Sequence, residues 1–217
     1  TGLYATIAVL AALSHRDRTG EGQHIDMALL DVQVATLANQ ASNYLTSGVA
    51  PRRMGNAHPN IVPYQDFPTA DGDMILAIGN DGQFARFCTA AGHSEWAADE
   101  RFATNPARVA NRTVLIPLLR QATVMKTTAE WISTLESLAV PCGPINRLPE
   151  VFDDPQVVAR GLRIDVPHPA VGSVPLVACP IRLSATPVQY RSAPPMLGEH
   201  TAEVLAEWLR PDHVLPT

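Results

Sequence analysis

The sequence predicts a mixed α/β chain: a compact α+β unit from about Ile61 to Pro144, flanked by α/β segments that lack partners of their own. Three patterns carry this. An apolar helix with no polar face opens the chain, a hairpin pattern follows Ile61, and capped helices alternate with proline-punctuated turns thereafter. The 217 residues are 46% hydrophobic and 17% charged, enough to build one large domain or two small ones. A formal net charge of −5 argues against nucleic acid or an anionic membrane as the main partner, while leaving room for a local basic pocket.

In chain order, Leu3 to His15 reads as a helix that is apolar on most sides and therefore built for burial. Arg16, Arg18, Thr19 and Gly20 end it. No charge precedes the apolar run, and the run falls short of the roughly 20 residues a membrane span needs. The first residue is a threonine, and the helix opens at once, so the chain is expected to be a fragment. Gly22 to Leu30 alternates polar and apolar residues as a half-buried strand does. Asp26 or Asp31 then caps a helix running through Val32–Leu45 to Gly48.

From Pro51 to Pro63, Pro, Gly, Asn and His replace the apolar periodicity, which marks a functional or linking loop. "VPYQDFPTADGDMILAIGN" reads as a hairpin turning at Asp71-Gly72. A short helix starts at Asp81 and stops at Gly92. Asn105 is placed as the cap of the next helix, with Pro106 at its first position, and Asn111 as a second start. Pro117 should kink that helix or restart it. Thr127 and Glu130 have capping-box spacing. Beyond Pro141 come a short helix between turns, a strand over "SVPLVACPIRLSATP", a stiff turn at "APPMLG" and a final amphipathic helix. Cys88, Cys142 and Cys179 show no ligand spacing and are expected as reduced thiols. No P-loop, GxSxG, GxGxxG or zinc spacing occurs, and no metal ligands are expected.

The candidate site is the loop that carries Arg52, Arg53, Gly55, Asn56, His58 and Asn60. Gly55 permits close backbone approach to a ligand, the asparagines supply donors, and His58 offers a proton carrier or a donor to a carboxylate. The competing reading is a polar turn in which His58 only fixes the bend before Pro59, and the residue types alone favour it. Arg52 and Arg53 fit bidentate grip of a carboxylate or phosphate, or a solvated pair at a helix end. Arg101, Arg108 and Arg112 suggest a phosphate patch, but pairing with Asp99, Glu100 and other nearby carboxylates accounts for them better. Glu199-His200 at a helix start and Asp153-Asp154-Pro155 have sufficient structural explanations.

Read together, "HRDRTGEGQHIDMALLD", "GNAHPNIVPYQDFPTADGDMILAIGNDGQFARFC", "RFATNPARVANR", "VPCGPIN", "DPQVVARG", "CPIRLSATP" and "PPMLGEHTAEVL" resemble the C-terminal half of a family III CoA-transferase. The "GNAHPNIVPYQ" wording is most similar to the succinyl-CoA:glutarate-type branch. The resemblance runs in order from Thr1 to about Leu205. It implies a Rossmann-like CoA-binding large domain, to which residues 1–60 and 145–217 contribute, and a small α+β domain over 61–144. It also implies a cytoplasmic homodimer of interlocked subunits, with no nucleic-acid or membrane partner.

The implied reaction moves CoA from an acyl-CoA donor to a carboxylic, and in this branch dicarboxylic, acid through an aspartyl intermediate. The nucleophilic aspartate is expected just upstream of Thr1, so no catalytic residue is assigned within the chain, and the chain alone is expected to be inactive. Coenzyme A enters as a thioester substrate, with no permanently bound cofactor. The resemblance places Gly55–Asn60 over the active site as a shield against water, where some relatives carry a run of glycines. That reverses the preference at this loop. Two alternatives stay open: an acyl-CoA racemase of the same fold, whose wording differs at this loop, and an inactive truncated interaction module.

Overall fold

A computed structural model describes residues 1–209, so the last eight residues of the segment expected to return to the large domain lie outside it. The chain divides into two compact units, Thr1–Ile145 and Asn146 onward.

The first unit opens with α1 (Gly2–Thr19), which closes at Gly20, where φ is 79° and the N–H bonds to the Arg16 carbonyl at 2.7 Å. This left-handed cap and the two basic residues of the last turn follow the sequence signals. No residue of α1 is buried; Leu3 is 83% and Ile7 66% exposed, so the apolar helix is left uncovered by the described residues. The strand expected over Gly22–Leu30 does not form. A strand exists by its ladder, and neither sheet of the described residues includes this segment. The helix expected to run unbroken to Gly48 is two helices, α2 (Leu29–Ala35) and α3 (Ala38–Ser47). Neither expected aspartate caps α2: Ala28 holds that position and Asp31 lies in the first turn. Ala38, at φ 48°, breaks the ladder at a residue type that gives no warning of it.

The hairpin forms as expected from β1 (Tyr64–Pro68) and β2 (Asp73–Ala77), with Phe67 opposite Met74. A third antiparallel strand, β3 (Cys142–Pro144), pairs with β2 and makes it the central strand. Four helical segments follow β2 before the chain reaches α8. α4 (Asp81–Ala90) is capped by Asn80, whose side chain accepts the Gln83 N–H; α5 is Glu95–Ala98. α6 (Asn105–Ala110) is capped by Thr104, not by Asn105, which is freed for another task. α7 (Arg112–Thr123) carries Pro117 inside it and continues without restarting. α8 (Thr128–Ser137) has the full capping box, with the Thr127 hydroxyl and the Glu130 carboxylate each accepting the other's N–H.

The core forms where α4, α7 and α8 meet the sheet. Phe67, Met74, Leu76, Phe84, Phe87, Leu119, Trp131 and Leu135 are all essentially inaccessible. Fully burying each such side chain is worth about 1.5–3 kcal/mol, so this cluster dominates the stability of the unit. The Trp131 indole satisfies its polar edge on the Thr123 carbonyl at 2.7 Å. The hairpin turn is pinned to the same helix: one Asp71 carboxylate oxygen accepts the Thr128 N–H at 2.8 Å and bonds to the Thr128 and Thr69 hydroxyls.

The second unit holds α9 (Leu148–Asp153), α10 (Pro155–Ala159), the antiparallel pair β4 (Arg163–His168) and β5 (Gly172–Val177), and α11 (Thr201–Trp208). Asp154 caps α10 by accepting two backbone N–H groups, as the Asp-Asp-Pro turn predicts. The strand expected over residues 173–187 ends at Val177, and its partner β4 was hidden by Pro167 and Pro169, which read as turn signals.

Candidate functional site

The loop before β1 is stiffened from beneath by three side chains of the following helices. Arg108, on α6, is completely buried. Its guanidinium donates to the Val62 carbonyl at 2.6 Å, the Phe102 carbonyl at 2.9 Å and the Asp81 carboxylate at 2.8 Å, and it lies 4.5 Å over the Phe84 ring. Asn105 donates to the Asn60 carbonyl at 2.8 Å and accepts the Val62 N–H at 3.1 Å. Arg112, at the start of α7, donates to the Pro59 carbonyl at 2.6 Å and reaches the His58 carbonyl at 3.4 Å. Desolvation draws the Arg112 guanidinium below its ordinary value of 12.5.

His58 is held at three points. Its N–H donates to the Tyr64 carbonyl at 2.9 Å, its ring stacks on Tyr64 with centroids 5.3 Å apart, and its Nδ1 accepts the Asn60 N–H at 3.1 Å. Accepting through Nδ1 places the proton of the neutral ring on Nε2, the nitrogen left for other chemistry. The asparagine ahead of β1 is fixed as well: the Asn60 and Asn43 side-chain amides exchange reciprocal hydrogen bonds at 3.2 and 3.3 Å, tying the loop to α3. Gly55 has φ of 62°, a conformation that a side chain would strain, while Asn56 beside it is exposed. His58 therefore fixes the bend before Pro59 and also keeps one ring nitrogen unused.

An open cleft of about 480 Å³ runs between α3 and this loop, lined by Gln40, Asn43, Ser47, Arg52, Met54 and Asn60 among others. The structure brings Arg52 and Asn60 to this cleft and leaves Arg53 off it. Gly55, Asn56 and His58 lie on the loop beyond the cleft's lining. Among the described residues, no group of three or more His, Cys, Asp or Glu side chains is placed to hold a metal.

The remaining motifs are structural. Arg101 pairs with Asp99 at 2.6 Å, whereas Arg108 takes Asp81 and Arg112 takes carbonyls, so the three arginines form no common patch. Asn105 was expected only as a cap, and Asn43 gave no signal at all. Their loop-fixing roles depend on pairings 45 and 17 residues distant in sequence.

The CoA-transferase family III profile matches residues 1–201. The chain belongs to that family. Over 207 residues it is 54% identical to a succinate–glutarate CoA-transferase of Agrobacterium fabrum, with 95% of this chain and 52% of that protein covered. It is 41% identical to the succinyl-CoA:glutarate CoA-transferase of Mus musculus over 212 residues, covering 98% of this chain and 49% of the mouse protein. The fold matches the crystal structure of a CAIB/BAIF family protein from Brucella suis with a TM-score of 0.77 at 51% identity, covering 95% of this chain and 53% of that one. This family III chain thus spans about half the length of the curated relatives it matches. No helix among its described residues is long and apolar enough to cross a membrane.

Within this family III chain the loop is built to keep its shape. Backbone carbonyls at His58, Pro59, Asn60 and Val62 are all engaged by side chains from α6 and α7. Its charge is supplied by Arg52 and Arg53, and its remaining reactive nitrogen by His58. Such a loop presents fixed charge and hydrogen-bonding groups, but it holds no activated nucleophile.

Proposed function

We propose that the whole protein transfers CoA from succinyl-CoA or a similar acyl-CoA donor to a dicarboxylic acid, and that this chain supplies the small α+β domain, the loop over the active site and part of the CoA-binding domain. The names of the two relatives above support the reaction class and the acid. The pinned Gly55–Asn60 loop is the observation that carries the local role. The nucleophile is an aspartate carboxylate contributed by the part of the relatives' length that this chain does not span. CoA is a substrate thioester here, and no resident cofactor is invoked.

The steps balance without an oxidant or a metal. The carboxylate attacks the thioester carbonyl and expels CoA thiolate, leaving a mixed anhydride. The thiolate then attacks the aspartyl carbonyl, which releases the first acid and forms an aspartyl thioester. The acceptor carboxylate attacks that thioester, and the expelled thiolate finally takes the new acyl group and restores the aspartate. Both the anhydride and the thioester are destroyed by water, so a rigid cover raises the yield of transfer over hydrolysis. The apolar α1, none of whose residues is buried, fits burial against the other half of the molecule or a partner subunit in an interlocked, cytoplasmic homodimer.

The test is product analysis on the full-length enzyme with succinyl-CoA and glutarate, together with hydroxylamine trapping and intact-mass measurement. Glutaryl-CoA formation and a hydroxylamine-labile adduct on an aspartate are expected. Exchange of an α-proton of the acyl-CoA with solvent, with no new acyl-CoA and no adduct, would move the assignment to the racemases of this fold.

A further inference from the structure

The cleft between α3 and the loop has a composition that selects for charge type. Arg52 is its one cationic lining residue, and no aspartate or glutamate lines it. The described residues give Arg52 no hydrogen bond and no ion pair, so the guanidinium fork has no internal partner. In the same lining, the reciprocal Asn43–Asn60 pair uses one N–H and the oxygen of each amide. Each amide therefore keeps one N–H for another acceptor, in a position its partner has already fixed. Thr46 adds a hydroxyl to the lining, whereas the Ser47 hydroxyl is already used, donating to the Asn43 carbonyl at 2.7 Å and accepting the Val49 N–H at 3.1 Å.

These features suit a singly charged, planar anion. Arginine matches a carboxylate bidentately, and neutral amide donors complete its remaining lone pairs. A doubly charged phosphate is disfavoured by the position of the wall. Asn43, Thr46 and Ser47 lie in the C-terminal half of α3, which ends at Gly48, where the helix presents carbonyls and a partial negative charge. Arg52 itself rides on a short segment between Gly48 and Gly55, two glycines with φ of 71° and 62°.

We propose that this cleft binds a carboxylate, with Arg52 as the fork and the Asn43–Asn60 amides as neutral donors, and that it reads the non-reacting carboxylate of a dicarboxylic acyl group. The assignment to an acyl group rests on the CoA-transfer reading above; the carboxylate site itself does not. Arg52 is then a specificity residue that separates dicarboxylic acids from monocarboxylic acids of equal length.

The experiment is calorimetric binding of glutarate and of pentanoate to the full-length enzyme and its Arg52→Gln and Arg52→Lys variants, with melting curves confirming that each folds. Losing a charge-assisted bidentate contact should weaken glutarate binding about 10–100-fold in R52Q. R52K, which keeps the charge without the fork, should fall in between, and pentanoate, which has one carboxylate where glutarate has two, should bind the wild type more weakly than glutarate. In turnover, R52Q should raise KM for glutarate while kcat changes by less than about threefold. Glutarate binding that is unchanged in R52Q, or absent in the wild type, overturns the proposal. So does loss of 3′,5′-ADP binding in R52Q with glutarate binding intact, which would give Arg52 to the CoA phosphates. If Arg52-dependent glutarate binding is present but no glutaryl-CoA forms, the transferase reading falls and the carboxylate site stands.

Discussion

Replacing Arg108 by methionine tests the central physical claim about how the site is supported. The side chain is fully buried, and its three donors serve the Val62 carbonyl, the Phe102 carbonyl and Asp81. Methionine retains most of the stem volume, so the cavity contribution is small. Two carbonyls then remain in a dry interior without donors, at about 1–3 kcal/mol each. Asp81, whose side chain is 53% exposed, recovers its partner from water and adds little. Loss of the stacking over Phe84 contributes about 1 kcal/mol more. The sum is about 3–7 kcal/mol, a large share of the 5–15 kcal/mol that keeps a typical protein folded. Urea denaturation followed by Trp131 fluorescence, in a Trp96→Phe, Trp208→Phe background, reads the loss directly. With m about 2 kcal/mol/M, the midpoint should fall by about 1.5–3.5 M. Arg108→Lys should recover less than half of that, since an ammonium cannot span three separated acceptors. A midpoint shift below about 0.5 M at unchanged m would refute the accounting.

Three further outcomes follow from the same geometry. Under the proposed CoA-transfer reading, Arg112→Met removes the donor to Pro59 and His58 and should raise hydrolysis of acyl-CoA relative to transfer by several-fold, measured as free CoA against product thioester in the full-length enzyme. Asp71 is held below its ordinary value of 3.8, first by the Thr128 N–H and then by hydroxyls. Because its folded pKa is depressed, its stabilisation is present above pH 3.8 and is lost as pH falls through the lower folded value; the midpoint difference between wild type and Asp71→Asn should therefore be largest near pH 6–7 and shrink below pH 3.5, and a pH-independent difference would contradict this. Burial pushes the Cys88 thiol up to about 12, so iodoacetamide at pH 8 should leave Cys88 unmodified in the native protein, and peptide mass mapping should find it labelled only after denaturation.

Much of the α+β unit was legible in the sequence because its signals are local. A capping box needs only Thr127 and Glu130, a hairpin turn needs Asp71-Gly72 between apolar runs, and a left-handed stop needs a glycine at position 20. The failures are equally physical. Gly22–Leu30 has the alternation of a strand, but alternation does not create a ladder when no neighbour is present. β4 was masked by prolines, and the break at Ala38 leaves no mark in residue type.

The site shows the same division. Composition and motif alone determined that Gly55–Asn60 is an unusual loop, that Arg52 and Arg53 carry its charge, and that the chain resembles one family along nearly its whole length. Only the tertiary structure decided what each side chain does. Asn105 is a loop anchor and not a cap, Arg108 is a buried clamp and not part of a phosphate patch, and Asn43 is paired with Asn60 across 17 residues. Local sequence fixes the backbone options of each residue through nearby sterics and hydrogen bonds. Which distant carbonyl a guanidinium will satisfy is settled only when the core closes and every buried polar group must find a partner.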